Sequence, residues 1–235
     1  LRAIRRRVWA EAVGFFSDYS NLNGACTFSS GCADGDGSTQ FNGGRVFVYG
    51  LESALRYRYQ FARGVRLDVG ARYTYTGTQF RHGFASPFPQ WGDVQAGDQL
   101  PYVPVHLAGG SLGVGGESWE VSLAPSYNGA MRDVAGQGKI PDDQRIDGFF
   151  VLDAAANLRL HQRLLLYGTV NNATNNAYAA SYRPFGLRPG APLTFMIGIK
   201  GDIFLDPQNP RGVFGRRDGR RRARTQRASK QRRPG

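Results

Sequence analysis

The 235 residues include only two cysteines, two methionines and three histidines. No stretch approaches the ~18 consecutive apolar residues of a membrane-crossing helix, so a transmembrane helix is excluded. The histidines (His82, His106, His161) are scattered and form no metal-site spacing. No Ser/His/Asp arrangement, P-loop or paired-carboxylate motif stands in a supporting context, so the sequence points to no enzyme. An initiator Met is missing, as is a charged segment leading into an apolar one with a cleavage site, and Leu1 is read as an arbitrary start.

What is abundant is glycine, 32 residues or about twice the usual ~7% share. Aromatics make up 12%, chiefly 15 Phe and 11 Tyr, and mean hydropathy is −0.41. That composition disfavours a helical bundle, and 41% hydrophobic residues disfavour whole-chain disorder. A β-rich protein remains. The formal charge of +12 is concentrated at the ends: residues 1–7 carry four Arg and no acid, and residues 211–235 carry eleven Lys and Arg against Asp218. The body between them is close to neutral. A nucleic-acid partner is therefore not expected, because a phosphate footprint belongs on the folded surface.

The body alternates with a period of two. In 51–61, Leu51, Leu55, Tyr57, Tyr59 and Phe61 alternate with Glu52, Arg56, Arg58 and Gln60. Leu67, Val69, Ala71, Tyr73 and Tyr75 oppose Asp68, Arg72, Thr74 and Thr76; Trp119–Asn128, Phe150–His161 and Leu193–Lys200 repeat the pattern. A pleated strand turns such residues to two different surroundings, whereas a helix would scatter them. Strands are expected at 8–17, 45–61, 65–80, 101–115, 118–131, 148–161, 163–171 and 191–203. Tight turns near 62–64, 116–117 and 162 alternate with long connections at 18–44, 81–100, 132–147 and 172–190. An outer-membrane β-barrel has this plan, with short turns on one rim and large loops on the other. A soluble sandwich or lipocalin-like barrel also alternates. Strand length and aromatics near the strand ends (Tyr57, Tyr59, Phe61, Tyr73, Tyr75, Trp119, Tyr127) favour the membrane barrel.

Particular runs add a family resemblance. AEAVGFFSDYSNL (10–22), the cysteine pair, QFNGG (40–44) and GLE (50–52) resemble ferric-citrate-type TonB-dependent receptors. GTVNNATNNAYAASYRPFGLRPGAP (168–192) and LTFMIGIKGDIF (193–204) resemble the closing hairpin of TonB-dependent receptors generally. The resemblance implies an all-β, antiparallel transmembrane barrel of about 22 strands, plugged by an N-terminal domain, in the bacterial outer membrane. Such receptors import ferric siderophores with energy delivered by TonB. Residues 8–204, with about eight up-and-down strands, would be the last third of that barrel, preceded by a truncated basic start at 1–7. The implied cargo is a ferric chelate, ferric citrate or another siderophore, with no cofactor bound directly. The implied partners are outer-membrane lipid, the barrel assembly machinery, and the TonB complex through a plug domain missing from this chain. Two alternatives stand beside this reading: a small eight-stranded outer-membrane barrel with a structural or adhesive role, and a non-functional remnant of a receptor gene.

Candidate site residues follow from the pattern. Glu52, Arg56, Arg58, Asp68 and Arg72 share the polar face and are expected to face the lumen. There they would guide an anionic chelate or, as the simpler expectation, form a structural salt-bridge network. Arg81 and His82, at the base of the second long connection, are the ligand-binding candidates. Cys26 and Cys32, spaced C-x5-C in a Gly/Ser/Asp-rich loop, point to a disulfide; zinc would find only half a site. Asp34 and Asp36 lack the remaining spacing of a Ca²⁺ loop. Arg183, Gly186, Arg188, Pro189 and Gly190 are read as a turn shoulder with a fold role. Phe204 resembles the terminal aromatic read by the assembly machinery. The Arg-rich segment 205–235 lacks an apolar period; disorder is expected there, and translation beyond the natural stop is the favoured origin.

Overall fold

The computed structural model describes residues 2–5, 7–25, 40–61, 64–86, 91–182 and 186–201. Its strands in chain order are β1 (Arg2–Arg5), β2 (Val8–Tyr19), β3 (Asn23–Ala25), β4 (Gln40–Asn42), β5 (Val46–Gln60), β6 (Arg66–Phe80), β7 (Phe84–Ala85), β8 (Asp93–Val94) and β9 (His106–Gly115). They continue with β10 (Trp119–Asn128), β11 (Met131–Arg132), β12 (Arg145–Ile146), β13 (Phe149–His161), β14 (Leu164–Asn171), β15 (Ala179–Ser181), β16 (Arg188–Pro189) and β17 (Thr194–Gly201). Among the described residues there is no α-helix, as the Gly and aromatic content leads one to expect.

Nine strands form one antiparallel sheet in the order β1-β2-β5-β6-β9-β10-β13-β14-β17. Each long strand pairs with its chain neighbour, and the four small hairpins β3–β4, β7–β8, β11–β12 and β15–β16 all sit within the long connections. All eight strands expected from periodicity are present, and Arg2–Arg5 adds a ninth, registered from Arg2↔Glu11 to Arg5↔Val8. Among the described residues the sheet is open, with β1 and β17 at its two edges.

Two of the expected strands are too long at the same rim. The strand expected at 101–115 begins only at His106, because Tyr102 lies at φ 59°, a left-handed conformation that no strand carries. The strand expected at 118–131 ends at Asn128; the Gly129 amide donates to the His106 carbonyl at 2.8 Å, and Met131–Arg132 starts a separate hairpin with Arg145–Ile146.

The register assigns every side chain to a face. Arg56, Arg58, Asp68, Arg72, Ser111, Glu120, Ser126, Asp153 and Thr169 fall on one, the polar face. Leu55, Leu67, Val69, Leu112, Val121, Leu123, Leu158, Ile197 and Ile199 fall on the other. This apolar face is uncovered: Val121 is 48% exposed, Leu123 37% and Ile199 67%. Burial of apolar area contributes about 25 cal/mol per Å², so a face of this extent requires a lipid solvent. Aromatics band both ends of it. Tyr57, Tyr59, Phe61 and Trp119 stand at the short-turn ends of their strands, and Phe16, Phe47, Tyr49, Tyr127 and Phe150 stand toward the long connections. Such belts anchor a barrel at the two membrane interfaces.

The conventional core is small and lies at the long-connection end. Val46, Phe80 and Val94 are fully buried there, with Leu22, Val48, Phe84, Trp91, Leu100 and Ala135 packed around them. Phe80 meets Phe84 and Trp91 edge to face, with ring centroids 5.3 and 5.7 Å away. Val46, Val48 and Phe80 are polar-face positions by register, so Phe84, Trp91, Val94 and Leu100 of the following connection pack inward on that face.

Candidate functional site

The polar face carries a chain of charges near the short turns. Arg58 pairs with Asp68, its register partner on the adjacent strand. Asp68 also meets Arg66 at 3.3 Å, and Arg66 reaches Glu120 at 2.6 Å. Arg66 and Glu120 lie on β6 and β10, separated by β9, which presents only Gly115 between them. No side chain therefore stands between the two partners in that row. Two cations and two anions thus neutralise one another. Arg56 is used differently: its guanidinium lies 5.1 Å from the Trp9 ring centroid. Glu52 faces the same side opposite Thr74 and Val13, with no Lys or Arg within ion-pair distance among the described residues.

Farther along the face Arg72 sits apart. It leans over β9 at Gly109, where a Cβ would meet the guanidinium Nε at 2.6 Å. Arg72, Thr74, Leu107, Ser126, Asn128 and Phe149 line a hollow of about 300 Å³. Of the five lumen-expected residues, the fold therefore joins Arg58 and Asp68 in one network and leaves Glu52, Arg56 and Arg72 outside it. Arg66 and Glu120 were not singled out from sequence, although their even positions in alternating strands place both on the polar face.

Arg81 and His82 follow β6 at the loop rim. The Arg81 guanidinium lies over the Phe47 ring at 4.7 Å, and Arg45 approaches the same ring at 5.3 Å. Phe47 belongs to the apolar face, so Arg81 stands outside the hollow, while His82 is exposed. Arg45 is clasped by both carboxylate oxygens of Asp18, which raises its already high pKa further.

Above the polar face, the 81–105 and 129–148 connections are fastened to each other. Gln99 and Gly136 form an isolated bridge, the Gln137 amide donates to the Ala96 carbonyl at 3.1 Å, and the Tyr102 hydroxyl donates to Asp133. At the centre Arg132, only 3% exposed, donates from Nε to Gln99 Oε1 at 3.0 Å and from Nη2 to the Gly138 carbonyl. Burial pulls the Arg132 pKa down, and the buried Asp98 carboxylate opposes that shift. Nothing local in the sequence marks these residues.

The last long connection is held by Asn172, buried at φ 50°. Its Nδ2 donates to the Asn176 and Ala191 carbonyls at 2.9 and 3.0 Å, and its Oδ1 accepts from the Asn176 amide and the Thr174 hydroxyl. Arg188 and Pro189 form strand β16 of the following hairpin, with Gly186 at φ 96° before it; the Gly190 amide donates to the Tyr178 carbonyl at 2.8 Å. Cys26, Cys32, Asp34, Asp36, Arg183, Phe204 and the 205–235 segment lie outside the described residues.

An open antiparallel sheet with one polar and one uncovered apolar face, banded by aromatics, is part of a membrane-spanning β-barrel. The family follows: residues 5–173 match the TonB dependent receptor-like, beta-barrel model, and the chain belongs to that family, whose members are outer-membrane transport receptors rather than enzymes. No curated protein matches the chain. Among solved structures it is similar to the closed form of the ferric-catecholate import receptor Fiu from K12 E. coli, with 21% identity and a TM-score of 0.58, covering 83% of this chain and 25% of that one. The unliganded ferric citrate transporter FecA gives 21% identity and a TM-score of 0.55, covering 85% and 30%. The FrpB iron transporter from Neisseria meningitidis gives 18% and 0.59, covering 85% and 30%. At these identities the likeness is one of fold. The chain spans about a quarter to just under a third of the proteins it matches.

Proposed function

We propose that the chain is the C-terminal barrel portion of a TonB-dependent outer-membrane receptor that takes up a ferric chelate, with ferric citrate or another siderophore as cargo. The observation that carries this is the division of the sheet: an apolar face exposed across its whole width, and a polar face bearing charges and a partly covered mouth. The family match and the iron-receptor neighbours support it. In this reading the polar face, with Glu52, Arg56, Arg58, Asp68 and Arg72, lines the lumen, and the long connections form the outward rim. Binding and gated passage constitute the mechanism, with no bond made or broken. Iron arrives as cargo. Energy comes from TonB acting on a plug supplied by sequence outside this chain, and the assembly machinery recognises the strand end near Phe204. An open sheet with β1 and β17 at opposite edges gives no support to a closed barrel of eight strands.

The test is radiolabelled iron uptake by a receptor-deficient outer-membrane host expressing the complete receptor gene that contains this segment. Uptake of ferric citrate or another ferric chelate that depends on TonB is the expected result. TonB-independent uptake, or none with any ferric chelate from a properly inserted receptor, would overturn the reading.

A further inference from the structure

The guanidiniums of the polar face are not equivalent: Arg72 and, nearer the short turns, Arg159 make no ion pair among the described residues, and of the two only Arg72 lines the hollow of about 300 Å³. Arg58 and Arg66 are balanced by Asp68 and Glu120, and Arg56 is stacked on Trp9. Arg72 has no carboxylate within 4.0 Å among the described residues; Glu52, opposite its neighbour Thr74, makes no ion pair with it. An arginine held on a wall without a counter-charge keeps its five donors available to an incoming anion.

The surroundings of Arg72 complete a site. In register, Arg72, Gly109 and Ser126 stand side by side on β6, β9 and β10, with Thr74, Leu107 and Asn128 in the adjacent row. Because β9 offers only Gly109 in the first row, the guanidinium lies across bare backbone at the edge of the 300 Å³ hollow instead of being pushed off the wall. Arg72, Thr74, Ser126 and Asn128 therefore line one hollow, where the Ser126 hydroxyl donates to the Val151 carbonyl at 3.5 Å and keeps its lone pairs, with Leu107 and Phe149 as apolar walls. The volume falls at the lower end of the ~300–1,000 Å³ typical of small-molecule sites. A guanidinium fork matches a carboxylate with two parallel hydrogen bonds, while flanking hydroxyls and an amide suit a second carboxylate or an alcohol oxygen.

We infer that the hollow around Arg72 is a binding site for the carboxylate groups of a small hydroxy-polycarboxylate, which makes carboxylate-type ferric chelates the cargo class of this wall. The inference rests on the receptor reading above for its biological meaning, but its test does not use transport. The complete receptor that contains this segment, ¹⁵N-labelled at arginine and folded in detergent micelles, is titrated with metal-free citrate while the Arg72 side-chain Nε–H resonance is followed. A saturable shift at Arg72 is expected. Arg72→Gln and Gly109→Ala, the latter displacing the guanidinium without removing its charge, should each weaken citrate binding about tenfold or more, the loss expected for a charge-assisted pair. Arg58→Gln should bind as the parent does, and neutral catechol should leave the Arg72 resonance in place. Gel mobility and circular dichroism report folding; if Arg72→Gln does not fold, Arg72→Lys, which lacks the fork, should show the weakening. Citrate binding unchanged in the Arg72 variant, an equal loss in Arg58→Gln, or catechol binding as tightly at Arg72 would overturn the inference. Failure here with iron uptake intact removes the site alone. Citrate bound at Arg72 with no uptake of any chelate removes the receptor reading and leaves the site.

Discussion

Arg66 and Glu120 form an ion pair at 2.6 Å although a whole strand lies between the strands that carry them. β9 shows a glycine at that row, so the two long side chains meet over bare backbone. Both partners are 45% exposed, which places the pair in the weak, salt-sensitive class. A double-mutant cycle on Arg66→Gln and Glu120→Gln, followed by urea unfolding in micelles, should give a coupling of about 0.2–1 kcal/mol that fades as salt rises. A coupling that persists in high salt would show that lumen water screens the pair less than its exposure indicates.

The two faces of one strand should respond oppositely to the same change. Leu123 stands on the apolar face and Ser122 on the polar face. Leu123→Arg should destabilise the chain in lipid by about 2–4 kcal/mol, whereas Ser122→Arg should stay within about 0.5 kcal/mol. The folded fraction in bilayers against urea measures both; equal losses would mean that the assignment of faces is mistaken.

Arg132 ties two connections together from a buried position. Arg132→Met keeps the bulk but takes the donor from the half-buried Gln99 side chain, at a cost of about 1 kcal/mol, while the carbonyl of the exposed Gly138 turns to water. Because the clasp lies outside the nine-stranded sheet, the effect should be local. Hydrogen exchange should accelerate at Gln99, Tyr102 and Asp133, whose amides donate to Gly136, Arg132 and Gln144, and remain slow in β6 and β10.

Asn172 combines a left-handed backbone with four side-chain hydrogen bonds. Asn172→Ala should cost about 2 kcal/mol or more, since the Asn176 and Ala191 carbonyls lose their donor. Asn172→Gly removes the same bonds but relieves the backbone, so it should be the more stable variant by about 1 kcal/mol. Thermal or urea midpoints of the two variants decide the order.

Much of this architecture is visible in the chain itself. Alternation in Leu51–Phe61 and Leu67–Thr76 fixes which residues share a face, because a strand has no freedom to turn a neighbour to the same side. The tight turns and long connections, read as punctuation, give the up-and-down order. The errors fall where alternation stops: Tyr102 reverses φ just before β9, and Arg2–Arg5 is too short and too basic to announce a strand that only its pairing with β2 creates.

The sequence determined a membrane-type antiparallel sheet with an apolar face, a polar face carrying Glu52, Arg56, Arg58, Asp68 and Arg72, and two unequal rims. Only the tertiary structure decided what those charges do. Charges of opposite sign 54 residues apart, Arg66 and Glu120, meet because register brings them to one row across Gly115, and Arg72 leans over Gly109, away from its diagonal neighbour Glu52, and makes no ion pair among the described residues. The period of a strand is a local property written in consecutive residues. Which charge finds which depends on the offsets among strands, and those are set by pairing across the sheet.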